Sequence, residues 1–408
     1  MRRSSLLSRT ATFWVIVAAY LMLMISASTP SPLYVVYQAK WHFPTSTLTV
    51  IFGVYAIALL TSLLTVGGLS DFVGRRPVLL AGLGLLGIAM IVFAGARDVA
   101  WLYVARVLQG LAAGALIGTL SAGILDLAPV GKVRLATLLN ALIPSIGLGA
   151  GALIAGVFAE WAPNPTLTVY LFVAAALAVL LALLVFAPES EAARDGALAS
   201  LMPRMRIAPR IRGRFLRAAP ALFAPWAQMG LTLSLLVSVA ALRFGVINRF
   251  ESGLLVVAVC LAGTVSGFAL RDVAPGRATN LGAAALIAGT AVTLLGVHDS
   301  SLATFVTGSA IGGLGLGASM SGSLRTMAAM PKPDERGEFF AGVYVVGYLA
   351  FSVPAVIAGF AATHFGLVDT TYVYGVGVAV LALSVLLQAA PSVSFGRRPV
   401  PVEVRCGD

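Results

Sequence analysis

Residues 67–77, with the sequence GGLSDFVGRRP, bring glycines, one carboxylate and two guanidinium groups together between two long apolar runs. Glycines let the backbones of neighbouring membrane helices approach closely. An aspartate at the end of one helix can pair with arginine or cap the N-terminus of another helix. The stretch therefore predicts a structural cluster in which the charged side chains of Asp71, Arg75 and Arg76 are accompanied by Gly67 and Gly74.

Arg106 falls inside an apolar run, unlike the other basic residues of the chain. A basic side chain within a bilayer costs roughly 2.5–3.5 kcal/mol on insertion scales, so it should face a polar cavity or a partner. Because Arg106 lies near the end of its run, its side chain could instead extend to the membrane interface. We favour a functional role, which it would share with Gln109 and Gly110.

The run 140–156 is rich in glycine and forms a third candidate site. Small residues at such spacings let two membrane helices pack tightly, and simple packing is one interpretation of the pattern. Pro144 lies earlier in the same run and can kink the helix. The candidate residues are Gly147, Gly151 and Gly156.

Pro30 and Pro32 interrupt the first apolar run within the segment 28–34, STPSPLY. Proline removes a backbone donor from a helix, and such a break is tolerated in a membrane where it lines a cavity. The segment is our best candidate for a substrate path, although its aromatic residues could equally serve packing or the membrane interface. The predicted cavity residues are Ser28, Thr29, Pro30, Tyr34, Tyr55, Asn140, Trp226, Gln228, Tyr344 and Tyr348.

The composition indicates that the helices carrying these residues fold in a lipid bilayer. Hydrophobic residues make up 59% of the chain and charged residues 11%, whereas a soluble protein carries about 25% charged residues. The net charge of +11 comes from short basic clusters between apolar runs, which favours membrane loops over nucleic-acid binding. Cys260 and Cys406 form neither a disulfide framework nor a metal pattern, and we expect no metal and no cofactor.

Twelve apolar runs are long enough to cross a bilayer, which takes about 20 residues. The segment preceded by Arg9 is long enough to be a retained first helix, although a signal peptide is the alternative. We predict an N-terminal bundle over 1–187, a central loop over 188–217 and a C-terminal bundle over 218–408. The predicted spans are 12–36, 47–69, 77–96, 99–124, 135–159, 166–187, 218–242, 252–271, 278–297, 301–325, 338–361 and 369–389.

Two further patterns organise these spans. Residues 121–156 and 321–359 share a short basic loop followed by a glycine-rich helix, which favours a parallel repeat of two halves. With the N-terminus placed inside, 22 Lys and Arg residues fall in inner segments and four in outer loops. This bias predicts that both termini are cytoplasmic. The excess of Arg over Lys suggests a bacterial protein, which we expect to be a monomer in the inner membrane.

Residues 67–77 resemble the loop signature of the major facilitator superfamily, Gly-x-Leu-x-Asp-x-x-Gly-Arg-Arg, and they follow the second span as in that family. Residues 106–110 resemble the family's helix-4 motif, which is linked to proton-coupled transport. The fifth span resembles the antiporter motif of drug exporters, but Ala152 stands where proline is expected. The resemblance implies an all-α membrane protein with twelve helices in two pseudo-symmetric six-helix bundles. It also implies that the loop latches the two halves on the cytoplasmic side.

The resemblance implies secondary transport by alternating access, and we expect proton-coupled efflux of drug-like or small metabolite compounds. Proton-coupled uptake of a small nutrient and a transport-inactive sensor or scaffold are the alternatives. The expected partners are the lipid bilayer, a small-molecule substrate and protons. No carboxylate lies deep in a predicted span, so a proton site would have to involve Asp71, Asp126 or a group linked to Arg106. Scattered histidines and the lack of a nucleotide-binding loop argue against an enzyme and against direct use of ATP.

Overall fold

The computed structural model describes residues 7–189, 194–201, 205, 207–245, 248–332 and 335–389. Within those ranges it contains helices and no strand, which confirms the predicted all-α fold with twelve membrane-spanning helices. The predicted tail and several counted basic residues (Arg2, Arg3, Arg204, Arg206, Arg397, Arg398 and Arg405) lie outside the described residues, as does Cys406. The helices are α1 Arg9–Trp41, α2 Thr45–Val66, α3 Arg75–Ala94, α4 Val99–Asp126, α5 Val133–Trp161, α6 Pro165–Val185, α7 Pro209–Phe244, α8 Arg249–Ala269, α9 Pro275–His298, α10 Leu302–Ala328, α11 Arg336–Phe365 and α12 Leu367–Ala389.

Helix α1 continues in one direction through its two prolines. Thr29, which precedes them, keeps helical backbone angles of φ −47° and ψ −41°, and its hydroxyl donates to Ile25 O at 2.8 Å. The prolines therefore remove hydrogen bonds from the ladder without ending the helix. Carbonyl groups in the middle of α1 are left available to other partners.

Helix α7 begins at Pro209, within the segment that we predicted as a central loop, and not at 218. Its first turns are amphipathic, so a hydropathy window does not detect them. Ile211 and Phe215 are buried against Phe339 and Val343 of α11, while the arginines between them are exposed. Further along, residues 232–236 form one π-helical turn.

Equivalent glycines let a helix in each half pack closely on its neighbour. A methyl group at Gly110 of α4 would lie 2.5 Å from Tyr55 O of α2, and Gly114 meets the same helix one turn on. In α10, Gly313 and Gly317 make the matching approaches to the backbone of α8. This repetition supports two halves of like architecture, α1–α6 and α7–α12.

The two halves meet along α2 with α11 and along α5 with α8. The Phe52 and Phe351 rings are tilted by 40° with centroids 4.6 Å apart, and the Trp161 and Phe250 ring centroids are 5.3 Å apart. A methyl group at Gly253 would lie 2.7 Å from Ala152 O. The contacts of Trp161 with Phe250 and of Ala152 with Gly253 lie in the parts of α5 and α8 remote from residues 67–77, which we call the far end of the bundle, whereas Phe351 lies near the midpoint of α11.

Helices α9 and α10 are packed backbone to backbone by glycines that the sequence analysis did not single out. A methyl group at Gly315 would lie 2.5 Å from Leu286 N, and one at Gly289 would overlap Gly312 N. The glycines recur every seven residues on each helix, which keeps them on one face along its length. They are Gly282, Gly289 and Gly296 on α9 and Gly308, Gly315 and Gly322 on α10.

Candidate functional site

Arg106 is buried in the interior of the N-terminal half, with 1% of its surface exposed. Its Nε–H donates to the Tyr34 hydroxyl at 2.7 Å, and its Nη1 donates to Gln109 Oε1 at 2.7 Å and to Ala27 O at 3.2 Å. The side chain therefore turns into the bundle and does not extend to an interface. Of the two interpretations from the sequence, the structure favours a partnered interior arginine.

The prolines of α1 provide one of the acceptors in this network. Because Pro30 has no N–H, Ser26 O has no donor four residues ahead in the helix. Gln109 Nε2 donates to that carbonyl at 2.7 Å, so Gln109 joins Arg106 to the freed backbone of α1. Gly110, the next residue, lets α4 lie close to α2, which carries Tyr55.

Aromatic rings surround the Arg106 guanidinium. The Tyr55, Tyr34 and Phe93 ring centroids lie 5.2, 5.5 and 5.9 Å from its Cζ atom. Rings at this distance attract a cation, and the attraction is stronger where water is excluded. The described residues nevertheless place no carboxylate within salt-bridge distance of Arg106.

Arg75 is the centre of the charge cluster predicted in residues 67–77. It donates to Asp71 at 2.9 Å, to the Ser70 hydroxyl at 3.1 Å and to Asp126 at 2.7 Å. Asp126 ends α4, so the loop after α2 is tied to a second helix of the same half. Gly67 and Gly74 frame the cluster, and Gly74 has φ +97°, which favours glycine.

Glu189 completes this cluster and was missed in the sequence analysis. Its carboxylate accepts from the backbone N–H groups of Arg75 at 2.8 Å and Arg76 at 3.1 Å, which begin α3. It thus satisfies orphan donors at a helix N-terminus and complements the helix dipole. Arg76 instead caps a helix C-terminus, because it donates to Leu184 O and Val185 O at the end of α6.

The second half ties its corresponding loop to the fourth helix with different residues. Its equivalent loop carries an exposed pair, Arg271 with Asp272, at 3.2 Å. The tying residue is Arg325 near the end of α10, which donates to the carbonyls of Leu270, Arg271 and Val273 at 2.7–3.1 Å. In both halves an arginine joins the loop to the fourth helix.

The glycines of α5 divide between two partners. Gly147 and Gly151 pack on Met24 and Ile25 of α1, where Ser28 also donates to Leu148 O at 2.6 Å. Ala152, which replaces the expected proline, is fully buried and faces α8 of the other half. Gly156 is buried on the same helix. Helix α5 therefore joins α1 within its half to α8 across the interface.

Tyrosine and tryptophan side chains meet between the two halves near the middle of their helices. Trp226 lies 4.8 Å from Tyr348 between ring centroids. Tyr348 is within electrostatic range of Tyr55, Tyr344 and Tyr20, although the sequence analysis did not select Tyr20. Trp226, Tyr344 and Tyr348 are only half-buried, and Trp226 Nε1 has no hydrogen-bond partner among the described residues. We call these five residues the central aromatic cluster.

Six of the ten predicted cavity residues lie outside this cluster. Ser28, Thr29, Pro30 and Tyr34 are buried in α1, where Ser28 donates to Leu148 O of α5 and Tyr34 accepts from Arg106. Asn140 Nδ2 donates to Ser121 O at 3.0 Å and to the Ser121 hydroxyl at 2.8 Å, which ties α5 to α4. Gln228 is fully enclosed in the C-terminal half beside Gly312. Sequence spacing does not reveal this, because the direction of each side chain depends on how its helix is rotated in the bundle.

The charged groups of the described chain lie at helix ends and in connections, apart from Arg106. Among them, Glu335 pairs with Arg210, and this hydrogen bond, together with one from the Lys332 backbone, lowers the pKa of Glu335. No group of three or more metal-ligating side chains occurs within the described ranges.

Comparisons with known proteins agree with this geometry. The family model of the Major Facilitator Superfamily matches residues 16–295. A bacterial homologue of the human lysosomal transporter Spinster, solved in an inward-facing and occupied conformation, has a TM-score of 0.75 at 13% identity over 93% of this chain and 97% of its own. No curated protein matches the chain.

Two further solved structures share the fold. The nucleoside transporter NupG has a TM-score of 0.73 at 12% identity, with 92% of this chain and 98% of its own covered. A POT family transporter in complex with 5-aminolevulinic acid has a TM-score of 0.75 at 12% identity, with 92% and 95% covered. The family identifies a secondary transporter, not an enzyme, which sits in a lipid bilayer and binds a small-molecule substrate. This chain belongs to the major facilitator superfamily.

Proposed function

We propose that this transporter exports small, weakly polar compounds, such as drug-like molecules or metabolites, in exchange for protons. The observation that carries the proposal is the central aromatic cluster, which lies between the halves and combines aromatic rings with tyrosine hydroxyls and the buried Trp226 indole N–H. Binding sites for small molecules are mostly apolar, with a few polar groups that fix orientation. The cluster has that character.

The charge around the cluster limits the substrate class. Trp226 and Tyr348 offer aromatic faces, which bind neutral aromatic compounds and weak cations. Arg106 is close to Tyr55 but is enclosed by its own partners. An acidic substrate would therefore find no free basic group among the described residues of the cluster, which supports a neutral or weakly cationic substrate.

The contacts between the halves support a proposal for which side of the membrane the transporter is open to. The halves touch at the far end through Trp161 with Phe250 and nearer the middle through Phe52 with Phe351. The distribution of basic residues favours the opposite end as cytoplasmic, in a bacterial inner membrane with both termini inside. On that orientation the described state is closed toward the outside, as alternating access requires of one of its states.

The proton carriers that we propose are Asp71 and Asp126, the two carboxylates that accept from the Arg75 side chain. The side chain of Asp71 is 61% exposed, and every partner of Arg75 lies within the N-terminal half. When the halves close at this end, Asp71 can pair across the interface, and a latch of this kind would couple protonation to the conformational change. The glycine-rich α5, which resembles the antiporter motif, supports exchange over uptake. We propose a monomer, since each chain contains both halves.

Flux in proteoliposomes tests this function. With an imposed pH gradient, we expect accumulation of neutral or weakly cationic aromatic compounds and none of their carboxylate analogues. Trp226→Ala should remove this flux, whereas Trp14→Ala should retain it, because Trp14 is exposed on the outer face of α1. Equal flux with and without the pH gradient would exclude proton exchange. Equal flux in the two variants would exclude the central aromatic cluster as the binding site.

A further inference from the structure

A cavity of about 190 Å³ lies between four helices of the C-terminal half, at the end of the bundle opposite the far end. Its walls come from the early turns of α7 and α9 and from the last turns of α10 and α12. No residue of the central aromatic cluster lines it, so the two sites are separate. The polar lining residues are Arg217, Thr279, Asn280, Ser323, Thr326 and Gln388.

Arg217 is the charged residue of this lining, and it is exposed. Its Nε–H reaches Gly213 O of its own helix at 3.4 Å, which is a long hydrogen bond. It pairs with no carboxylate of the described chain. A guanidinium presents a planar fork of donors that matches the oxygens of a phosphate group. The cavity therefore offers a cation that has no counter-ion within the described ranges.

The neutral polar groups of the lining offer further hydrogen-bonding sites. The hydroxyls of Thr279, Ser323 and Thr326 donate to carbonyls of their own helices at 2.9–3.2 Å, and each hydroxyl oxygen keeps its acceptor sites. The Asn280 and Gln388 amides have no hydrogen-bond partner in the part of the chain that the structure describes. A ligand that matches this lining carries an anionic group for the guanidinium and hydroxyls for the side-chain oxygens.

The corresponding place in the N-terminal half is filled by charged side chains. There the first residue of α3 is Arg75, which donates to Asp126 at the end of α4. The first turn of α9 carries Gly276 instead, and a methyl group on it would meet nothing within 4 Å. Helix α10 supplies no carboxylate at its end. The C-terminal half therefore has open space where the other half has an internal ion pair.

The surroundings of the cavity indicate what kind of ligand reaches it. Leu216, Leu281 and Leu387, each next in sequence to a polar lining residue, are 56–68% exposed, so lipid chains surround the helices at this depth. Basic pockets between membrane helices bind phospholipid headgroups. The volume is also below the about 300–1,000 Å³ of sites for drug-sized ligands. The cavity thus suits a headgroup whose acyl chains remain in the surrounding lipid.

We propose that this cavity binds the headgroup of an anionic glycerophospholipid, with its phosphate on Arg217. The phosphate oxygens accept from the guanidinium, and the hydroxyls of a glycerol headgroup donate to the threonine and serine oxygens. A zwitterionic headgroup brings an ammonium group beside the same arginine and binds less well. This inference depends on neither the transported substrate nor the direction of transport.

Thermal unfolding of the purified full-length transporter in a neutral detergent tests this site. The melting temperature is measured as phosphatidylglycerol is added to the micelles, with phosphatidylcholine in a parallel series. We expect a saturable rise with phosphatidylglycerol and a smaller one with phosphatidylcholine at the same mole fraction. Soluble glycerol 3-phosphate carries a similar anion without acyl chains and should have little effect. An equal rise with glycerol 3-phosphate would overturn the lipid assignment in favour of a free phosphate compound.

Two arginine variants separate a local site from general attraction to a basic surface. Arg217→Gln should raise the half-saturating mole fraction of phosphatidylglycerol about tenfold, because it removes a charge-assisted hydrogen bond. Arg212→Gln is the matched control, since Arg212 is an exposed arginine of the same helix that does not line the cavity. It should keep the response of the unaltered chain. An equal loss of response in both variants would overturn the proposal.

Two glycine variants test the volume itself. Gly276→Leu should fill the cavity and abolish the response to phosphatidylglycerol, while the lipid-free melting temperature stays close to that of the unaltered chain. Gly337→Leu is its control, because Gly337 is likewise the second residue of its helix and has nothing within 4 Å, but lies outside the cavity. It should respond normally. A full response in Gly276→Leu, or equal responses of the unaltered chain to the two lipids, would contradict a headgroup site here.

Discussion

Helices α4 and α10 occupy equivalent places in the two halves and differ in what they carry. Gly110 and Gly114 of α4 pack on α2 as Gly313 and Gly317 of α10 pack on α8. The position equivalent to Arg106 is Ser309, whose hydroxyl donates to Phe305 O of its own helix at 2.8 Å. Backbone contacts are thus shared by the halves, whereas the buried arginine network is found in one of them.

The halves also differ in how their third and fourth helices meet. In the C-terminal half, α9 and α10 approach backbone to backbone at glycines spaced by seven. In the N-terminal half, a methyl group at Gly82 of α3 would lie 2.7 Å from the Leu116 side chain, so a side chain separates the helices there. The interior of this half also holds aromatic side chains and Arg106. Equivalent helix pairs thus carry close glycine packing in the C-terminal half and the buried arginine network in the N-terminal half.

The largest expected effect comes from widening the close-packed half. Gly289→Val should lower the free energy of unfolding by about 1–3 kcal/mol or more, because its side chain overlaps the backbone of Gly312. Gly87→Val in the equivalent helix α3 has nothing within 4 Å and should be close to neutral. Thermal unfolding in detergent measures both variants. Equal melting temperatures would show that the two helix pairs pack alike.

Making α4 resemble α10 tests the polar interior. Arg106→Ser should abolish flux and destabilise the N-terminal half by about 1–3 kcal/mol, because Tyr34 and Gln109 lose their buried partner. Arg243→Ser serves as the control, since Arg243 lies at the far end of α7 and donates to carbonyls at the end of α9. Proteoliposome flux and thermal unfolding are the measurements. Full flux in Arg106→Ser would show that the network is dispensable.

The loops after α2 and α8 offer a smaller contrast. Glu189→Ala should cost about 0.5–2 kcal/mol, because it removes the cap from the first N–H groups of α3. Asp272→Ala in the equivalent loop should cost less, since the Asp272 side chain is 87% exposed. Chemical denaturation measures the free energy of unfolding of both variants. A larger loss from Asp272→Ala would contradict the role that we assign to Glu189.

The smallest effect concerns pH and an exposed pair of the second half. Arg210 lowers the pKa of Glu335, so the pair stabilises the fold above the ordinary carboxyl pKa. That contribution is lost as the pH falls through the lowered pKa of the folded state. Glu335→Gln should therefore melt slightly below the unaltered chain at neutral pH and together with it at acid pH. A difference that grows on acidification would exclude the ion pair as its cause.

The sequence by itself determined the number of spans, the repeat, the family and the chemistry of residues 67–77. These properties depend on the length of apolar runs and on residue types close together in the chain, which are local quantities. It also contained the glycines of α9 and α10, whose spacing of seven was a readable signal. The start of α7 at Pro209 was less readable, because its first turns alternate arginines with buried residues.

Only the tertiary structure decided which side chains meet. It brought Gln109 to the carbonyl freed by Pro30, Glu189 to the start of α3 and Tyr170 toward Arg106. It also turned Asn140 to Ser121 and enclosed Gln228 within its own half. The reason is that helix rotation and pairing depend on the packing of all the helices in each half, which no single run of residues specifies.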